Sequence, residues 1–506
     1  MITSLHYIVF FIAVMISIEI VRTLTVDIMQ KNYFIKQRGS VQMVTEEIKN
    51  QLRAIVGKEY VLDSDIDRFG YSYDSSFVSI ADKNQPEVVV RPATTAEVSA
   101  VMALANTHGI AVTPRGTSSG RTGGSIPLEG GIALSLTRMD KIIELDEKNM
   151  MVLVEAGVRT IDLYNHCAEK GLFYPPDPAS WKYSTLGGNI AENAGGMRAV
   201  KYGVTHNYVM GLEVVLANGD VINTGGKAIK NVTGYNMTQL FVGSEGTLGV
   251  VTKVLLRLIP MPKVRNTMQL MFLSLEAACD TIHAMLQSGV IPAAAELMDK
   301  TSIQAVARHR KLDIDASIAA CVIIEIDGED NEALNKQAEK IQDIARLHDV
   351  KETRVAGSFK ESEDIWAIRR GLSSAIGAMA PNRFGEDISV PRDAFPDMIR
   401  RIRKISEKYG LTIAVYGHAG DGNLHPSVLC DMSNPEHAGK VHHAIAEIFD
   451  EALAVGGTLS GEHGIGITKK SYLIKALGEA GVNAHKAIKQ ALDPKGILNP
   501  GKIWES

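Results

Sequence analysis

The chain has 506 residues, of which 45% are hydrophobic and 22% are charged. This is ordinary globular composition at a length that exceeds one hydrophobic core, so two or three domains are expected. The 53 basic and 58 acidic residues give a formal net charge of −5 at pH 7, and no segment gathers lysines and arginines on one face. Nucleic acid is therefore not expected as a partner.

The cysteines exclude two further classes of protein. The chain has four, Cys167, Cys279, Cys321 and Cys430, and they are scattered without a CxxC pair. This spacing predicts a reducing compartment, and it argues against a disulfide scaffold and against an iron–sulfur cluster held by this chain alone.

The N-terminal extension, residues 1–42, contains an apolar run, YIVFFIAVMISI, at residues 7–18. Glu19 interrupts the run before it reaches the roughly 20 residues that a membrane span needs. No lysine or arginine precedes it and no clear cleavage site follows, so it is atypical of a signal peptide. A weak anchor, a disordered tail and a mis-assigned start all remain open. The protein is expected in the cytoplasm, with membrane association through this segment as the alternative.

From Met43 onward the hydrophobic pattern predicts a soluble domain. The segment VTEEIKNQLRAIVG at 44–57 has the spacing of an amphipathic helix, and PEVVVRP at 86–92 that of a strand. A helix over 94–109 begins with a threonine cap and ends at Gly109. Further strands are predicted within IAVTPRG, GIALSLTRM, MVLVEAGV and GLEVVLANGDVINT. The glycine-rich region ends near Pro260–Pro262, which predicts one domain over 43–262 and a second over 263–506.

The second domain alternates apolar strands with long helices. A strand is predicted in AACVIIEID at 319–327, and helices at 331–348, 365–376 and about 436–455. A final helix leads into the segment DPKGILNPGK near the C-terminus. The whole pattern indicates an α+β protein.

Three glycine-rich clusters lie at strand ends in the first domain. They are PRGTSSGRTGGS at 114–125, STLGGNIAENAGGMRAVKYG at 184–203 and VGSEGTLGV at 242–250. Glycine permits the left-handed backbone with which several N–H groups converge on a phosphate. The clusters match neither the GxxxxGK[ST] nor the GxGxxG pattern. Three such loops within 140 residues predict contact with one long, flat, polyphosphorylated ligand.

Taken in order, these motifs resemble the FAD-binding domain of the vanillyl-alcohol oxidase and p-cresol methylhydroxylase flavoprotein superfamily. The segments GHAGDGNLH, GEHGIG and LNPGK resemble the branch that holds D-lactate dehydrogenase, D-2-hydroxyglutarate dehydrogenase and the FAD subunit of glycolate oxidase. The resemblance covers roughly residues 50–505. It implies a p-cresol methylhydroxylase-type FAD-binding domain built from two α/β subdomains. An FAD-linked oxidase C-terminal domain with an antiparallel sheet flanked by helices would follow, and its C-terminal tail would return to the first domain.

The resemblance also implies which residues bind FAD. The first loop would surround the pyrophosphate with Arg115, Gly116, Thr117, Ser118, Ser119, Gly120 and Ser125. The flavin and its ribityl chain would be lined by Pro176, Asp177, Ser184, Thr185, Gly188, Asn189, Ala191 and Asn193. The third loop and the tail would add Gly246, Val250 and Asn499. For Asn189 and Asn193, loop capping by the amides is the alternative. The first loop contains no histidine, so noncovalent FAD is expected.

Two histidines and a glutamate form a candidate metal site. His418 and His425 could supply two nitrogens and Glu462 an oxygen, with a position left open for substrate. This set suits zinc, and manganese or iron are compatible with it. The resemblance implies a divalent metal at the same positions. Asp421 is interpreted as a turn former.

The substrate residues follow from the same resemblance. His463 is predicted to be the general base, with a role in orienting Glu462 as the alternative. Arg369 is expected to grip a carboxylate with Ser373 beside it, and a shift of register would substitute Arg370. Ser427 stands where the 2-hydroxyglutarate enzyme has an asparagine.

The expected reaction is oxidation of a small D-2-hydroxy acid, D-lactate or glycolate, to the 2-oxo acid. The lysine of the 2-hydroxyglutarate enzyme is absent, with only Arg383 nearby, so a dicarboxylate substrate is the alternative. Electrons would pass to a quinone, an electron-transfer flavoprotein, oxygen or a separate iron–sulfur subunit. A homodimer is compatible with the sequence. A metal-dependent hydrolase and a noncatalytic flavoprotein subunit are the rival functions, but a hydrolase would leave the glycine loops unexplained.

Overall fold

The structure, a computed structural model, describes residues 43–78 and 85–505. The predicted N-terminal extension, with its candidate anchor, lies outside the described residues. No helix in the described part of the chain is both long enough and apolar enough to cross a bilayer.

The helices and strands are numbered in chain order. The helices are α1 Glu46–Val56, α2 Asp65–Gly70, α3 Thr95–His108, α4 Thr160–Ala168, α5 Leu186–Glu192, α6 Ala199–Tyr202, α7 Met237–Phe241, α8 Leu275–Gln287, α9 Lys300–Arg310, α10 Asn331–Leu347, α11 Phe359–Arg370, α12 Leu372–Gly377, α13 Phe395–Tyr409, α14 Pro435–Ala454 and α15 Leu473–Leu492. The strands are β1 Val61–Leu62, β2 Val88–Val90, β3 Val112–Arg115, β4 Ile132–Ser135, β5 Ile142–Asp146, β6 Met151–Glu155, β7 Leu172–Phe173, β8 Val209–Val215, β9 Val221–Gly225, β10 Val250–Arg257, β11 Ile259–Pro260, β12 Val264–Phe272, β13 Ala294–Asp299, β14 Ala320–Gly328, β15 Val350–Val355, β16 Asn382–Gly385, β17 Ile388–Ser389, β18 Thr412–His418 and β19 Asn423–Cys430.

The first half contains two separate α/β layers. A mixed sheet in the order β1-β2-β4-β3 packs against α1 and α3 through a hydrophobic core that includes Leu52 and Met102. An antiparallel sheet in the order β5-β6-β10-β8-β9 packs against α4, α5 and α7. The predicted helix over 94–109 is confirmed: the side chain of Thr94 caps α3, and Gly109 ends it in the left-handed conformation, with φ of 63°.

The second half is built on one large antiparallel sheet. Its strands run in the order β15-β12-β14-β13-β18-β19-β16, and β17 also pairs with β19. Helices α8, α10, α13 and α14 cover one face, and α9, α11 and α12 cover part of the other. This arrangement confirms the predicted α+β class with an antiparallel sheet flanked by helices. The residues predicted as one helix over 365–376 are divided between α11 and α12 at Gly371.

The C-terminal segment lies against the first domain. Beyond α15 the chain pairs with β3, because Val112 N–H donates to the carbonyl of Ile497 and Asn499 N–H donates to the carbonyl of Val112, at 2.8 Å each. Ile497 and Leu498 are fully buried in the core of the first mixed sheet. The last residues of the chain therefore contribute to the core of the N-terminal half.

Removal of residues 1–42 should leave the described fold intact. The hydrophobic clusters of the described residues consist of residues from Val44 onward. The circular dichroism spectrum and the thermal unfolding midpoint of a chain that begins at Met43 should match those of the full chain. An insoluble or partly unfolded product would contradict this expectation.

Candidate functional site

A cleft lies in the first half and is also lined by residues of the second half. Its walls come from the three glycine-rich loops, and Glu462 and His463 of the second half line it as well. The cleft therefore connects the predicted cofactor residues with two of the predicted substrate and metal residues.

The first loop fits this cleft because its glycines allow close approach. Gly116 lies so near the second cluster that a Cβ there would stand 2.0 Å from Oγ1 of Thr185. Ser118 adopts a positive φ of 57°. The hydroxyls of Ser118 and Ser125 are buried and have no hydrogen-bond partner in the described part of the chain. Buried donors without partners in a glycine-lined cleft fit a ligand with many acceptor oxygens, such as FAD.

The structure brings most of the predicted cofactor residues to the cleft and directs the others elsewhere. The residues that line it are Arg115, Gly116, Thr117, Ser118, Ser119, Gly120, Ser125, Thr185, Gly188, Asn189, Ala191, Gly246 and Val250. The predicted residues that are not among its lining are Pro176, Asp177, Ser184, Asn193 and Asn499.

Three of the predicted cofactor residues, two outside the cleft lining and one within it, have hydrogen-bond partners in the protein. Asn193 ends α5 in the left-handed conformation, and its amide oxygen accepts from His206 N–H. Asn499 donates to the carbonyls of Gly124 and Glu245, and so ties two glycine loops together. The guanidinium of Arg115 donates to the carbonyl of Tyr71.

His418, His425 and Glu462 form a compact triangle at the end of the cleft. Nε2 of His418 lies 3.3 Å from Nε2 of His425 and 3.5 Å from Oε1 of Glu462, and the third side is 3.4 Å. A tetrahedral ion with bonds of about 2.0–2.1 Å needs ligand atoms about 3.3–3.5 Å apart. The triangle therefore has the size that zinc requires, and its three members come from β18, β19 and the loop before α15.

Charge at this triangle also favours a cation. Burial lowers the pKa of His418, but Glu296 and Glu462 outweigh it and raise that pKa well above its ordinary value. Nδ1 of His418 contacts Oε1 of Glu296, which is wholly buried on β13. His425 has its pKa held well below the ordinary value by burial and by the charge of His418. Glu296 thus fixes the ring of His418 so that its Nε2 faces the triangle, as carboxylates beside metal-binding histidines do.

The loop that carries Glu462 and His463 is held by a single carboxylate. Oδ2 of Asp387 accepts from the hydroxyl of Ser460 at 2.6 Å and from the backbone N–H groups of Gly461, Glu462 and His463 at 2.9–3.0 Å. Burial opposes ionisation of Asp387, yet its charged neighbours and these hydrogen bonds hold its pKa well below the usual range. A buried anion therefore fixes the backbone of both functional residues.

His463 lies beside the triangle and faces the cleft. Its ring stacks on that of His425, with centroids 5.4 Å apart and planes inclined by 17°. Its Nε2 stands 4.0 Å from Oε1 of Glu462. Burial lowers the pKa of His463 to about 4. The imidazole is therefore neutral at pH 7 and has a nitrogen lone pair with which to accept a proton.

The predicted substrate residues surround Tyr416 of β18. The guanidinium of Arg369 lies 4.8 Å from the centre of the Tyr416 ring, and its Nε donates to Glu296 at 2.6 Å. The hydroxyls of Ser373 and Ser427 both accept from Arg383, and Nη2 of Arg383 donates to the hydroxyl of Tyr416 at 2.9 Å. Arg370 points away and pairs with Glu363 on the surface.

Sequence reasoning missed several residues of the site. Glu296 lies on β13 and Asp387 lies between β16 and β17, in segments that carry no motif, whereas Tyr416 lies on β18 directly before the GHAGDGNLH segment. Only the three-dimensional structure brings Glu296 and Asp387 to the site. Glu245 lies inside the predicted GSEGTLG cluster and accepts from the N–H groups of Ile465 and Gly466. A glutamate inside a glycine-rich motif could have indicated this residue, which joins the two halves of the chain. Glu192 and Arg121 likewise lie within the glycine-rich clusters at 184–203 and 114–125.

Asp387→Asn should loosen the loop at 460–463. The amide has one oxygen in place of two and no charge, so at least one buried N–H group would lose its acceptor. Loss of such hydrogen bonds costs about 1–3 kcal/mol of unfolding free energy. Urea unfolding should detect this loss, whereas Asp397→Asn, at a half-exposed carboxylate of α13, should change little. Equal stability of the Asp387 and Asp397 variants would contradict the role of Asp387.

Comparison with known proteins gives consistent matches over nearly the whole chain. The FAD binding domain model matches residues 86–225, and the model of the FAD linked oxidases, C-terminal domain, matches residues 261–503. The chain is 41% identical over 462 residues to the glycolate oxidase subunit GlcD of Bacillus subtilis (strain 168). The aligned region covers 91% of this chain and 97% of that protein. It is 34% identical to the D-lactate dehydrogenase of Anaerostipes hadrus, with 91% and 98% covered.

Solved structures show the same fold at lower identity. The crystal structure of p-cresol methylhydroxylase with substrate bound matches with a TM-score of 0.75 and 20% identity, over 92% of this chain and 98% of that chain. The 4-ethylphenol oxidase from Gulosibacter chungangensis matches with a TM-score of 0.70 and 22% identity, over 90% and 97%. The p-cresol methylhydroxylase-type fold that the resemblance implied is thereby confirmed.

Proposed function

Because the chain belongs to the FAD-linked oxidase family, which also contains glycolate oxidase subunits and D-lactate dehydrogenases, we propose that it oxidises a small D-2-hydroxy acid to the 2-oxo acid. Glycolate and D-lactate are the proposed substrates, since the relative at 41% identity is named a glycolate oxidase subunit and the relative at 34% identity is named a D-lactate dehydrogenase. FAD is the cofactor that the matched domain requires. Noncovalent attachment is proposed because the loop at 114–125 contains no histidine.

One observation carries this proposal. Glu462 and His463 line the same cleft as the glycine loops, and Glu462 at the same time completes the triangle with His418 and His425. A hydrolytic metal site has no need of a cofactor cleft that opens onto one of its ligands. The cleft and the triangle together favour oxidation of a metal-bound substrate over hydrolysis.

The proposed roles of the residues follow from their surroundings. His418, His425 and Glu462 would hold a divalent metal, zinc by the size of their triangle. The guanidinium of Arg369 would bind the substrate carboxylate, with its orientation maintained by Glu296 and the Tyr416 ring. Ser373 and Ser427 would line the same pocket through their bonds to Arg383.

His463 would accept the proton of the substrate hydroxyl. Its buried imidazole is neutral, and Asp387 fixes its backbone, so the acceptor nitrogen is held in place before substrate arrives. The bound groups would supply the rest of the chemistry: the metal would polarise the hydroxyl, and FAD would take up the hydride from the α-carbon.

The reduced cofactor would need an electron acceptor outside this chain. All four cysteines are buried and free, and they lie on separate elements. We propose a quinone, an electron-transfer flavoprotein or a separate iron–sulfur subunit as the physiological acceptor.

His418→Ala should empty the metal site while FAD stays bound. The variant removes one corner of the triangle, whereas the glycine loops lie in the other domain. Elemental analysis and the flavin absorbance of the purified protein measure the two contents separately. His443→Ala, at an exposed histidine of α14, is the matched control. Stoichiometric metal in the His418 variant would overturn the ligand assignment.

Anaerobic stopped-flow mixing with D-lactate or glycolate tests the proposed function directly. The yellow absorbance of the wild-type protein should bleach, and His463→Ala should bleach about 10²- to 10⁴-fold more slowly because a positioned base contributes that factor. Metal and FAD contents should remain near the wild-type values. A wild-type protein that neither acid bleaches would refute the function, and a variant that bleaches at the wild-type rate would refute the base.

A further inference from the structure

Glu192 is a cleft residue that the proposed reaction has not used. It is the last residue of α5, and it lines the cleft together with the glycine loops, Glu462 and His463. Its Oε2 is buried and has no hydrogen-bond partner in the described part of the chain. Because a buried polar atom costs free energy when it stays unpaired, a partner on the ligand of the cleft would stabilise the complex.

The side chain of Glu192 lies where three segments of the chain meet. A Cβ placed on Gly124 of the first loop would lie 2.9 Å from its Oε1. A Cβ placed on Gly464 would collide with its Oε2 and would lie 3.0 Å from Oε1 of Glu245, in the third glycine cluster. Gly464 directly follows His463 in the chain. Glu192 therefore lies in the part of the cleft that adjoins the proposed base.

The surroundings of Glu192 favour its neutral form. Burial raises its pKa well above the ordinary value, and the charges of Glu245 and Asp74 raise it further, against the opposing charge of Lys469. Burial also raises the pKa of Glu245, but the carboxylate of Glu245 accepts from two backbone N–H groups, which stabilise its anion. Of the two carboxyl groups, Glu192 is therefore the one whose protonated form is favoured. A protonated carboxyl group has an O–H to donate.

The proposed reaction requires the flavin ring of FAD to lie close to Glu192. A hydride passes directly only between atoms that are in contact, so the ring has to touch a substrate held at the metal triangle and at His463. Glu192 and His463 line the same cleft, and Glu192 approaches the residue that follows His463. The acceptor atoms of a flavin ring, carbonyl oxygens and unprotonated nitrogens, match the donor that a neutral Glu192 offers.

We propose that Glu192 is a protonated hydrogen-bond donor to the flavin ring and that it raises the midpoint potential of the bound FAD. This role rests on the proposed function, because the place of the ring beside His463 follows from it. A hydride brings negative charge to the ring, and a fixed neutral donor stabilises that charge. An ionised carboxylate at the same position would repel it. Glu192 would thus favour transfer of the hydride from the hydroxy acid.

Replacement of Glu192 by leucine and by glutamine separates the donor from the charge. Glu192→Leu removes the donor and should lower the affinity for reduced FAD, relative to oxidised FAD, by about 10- to 100-fold, the effect of a hydrogen bond to a charged group. For a two-electron couple this corresponds to a midpoint potential about 30–60 mV lower. Glu192→Gln keeps a neutral donor, so the same ratio should change less than about threefold. Glu169→Leu, at an exposed glutamate outside the cleft lining, is the matched control.

The FAD-loaded full chain is titrated with dithionite and reference dyes, so the measurement needs no hydroxy acid. An unchanged potential in Glu192→Leu would refute the hydrogen bond. A potential in Glu192→Gln that departs from the wild-type value by more than about 30 mV in either direction would refute a neutral donor. If neither D-lactate nor glycolate reduces the wild-type flavin, the proposed function fails and the titration still decides the role of Glu192. Purified protein that binds no FAD would refute both.

Infrared difference spectroscopy covers the case in which Glu192→Leu loses FAD or does not fold. The spectrum that records reduction of the wild-type flavin should contain the C=O stretching band of a protonated carboxyl group, shifted between the two redox states. That band should be missing from Glu192→Gln, whose side chain is nearly isosteric. A wild-type spectrum without the band, or a band that Glu192→Gln leaves unchanged, would overturn the proposal.

Discussion

The carboxylate of Asp387 is the interaction on which the geometry of the site depends. A loop as rich in glycine as SGEHGIG has many accessible conformations, and ordering it costs conformational entropy. One buried anion offsets that cost with a hydroxyl and three consecutive backbone N–H groups directed at a single oxygen. The amide of Asn423 donates to the other oxygen, at 2.6 Å. Glu462 and His463 are therefore positioned by their backbone, which leaves both side chains free for a ligand.

A second buried carboxylate relates this loop to the cofactor cleft. Glu245 belongs to the third glycine cluster and accepts from the N–H groups of Ile465 and Gly466, immediately after the loop that Asp387 holds. Asn499 of the tail donates to the carbonyl of Glu245. The loop is thus held from the substrate domain at one end and from the first domain at the other. Relative movement of the two domains would break these buried bonds, so the cleft and the triangle keep one relative position.

The sequence predicted those parts of the molecule that depend on local signals. Helix α3 has its threonine cap and its terminal glycine within the segment itself, and the glycine clusters mark the cleft by composition alone. Histidines in a glycine-rich segment similarly indicated the triangle. His418 and His425 are only seven residues apart in the sequence and lie on two paired strands. The metal itself, zinc by the size of the triangle, stays a prediction.

Residues that act at long range gave no such signal. Asp387 lies more than 70 residues from the N–H groups that it accepts, and Glu296 lies 122 residues from His418. Neither residue lies in a segment of unusual composition. The predicted place of Ser373 beside Arg369 at the substrate stays a prediction, but the helix on which it rested is divided in the structure. That prediction used one continuous helix over 365–376, whereas the structure divides it at Gly371 and shows the Ser373 hydroxyl accepting from Arg383 at 2.7 Å.

The balance of charge along the cleft explains why its two ends suit different parts of a reaction. Near the glycine loops, burial and the neighbouring carboxylates Glu245 and Asp74 raise the pKa of Glu192 well above its ordinary value, which favours its protonated form. Near Tyr416, three arginines are gathered, and within the described part of the chain only Arg369 forms an ion pair with a carboxylate. Between them, Glu296 and Glu462 make the triangle attractive to a cation. An anionic substrate would therefore be drawn to the arginine end, and its hydroxyl would meet the cation site beside the cleft.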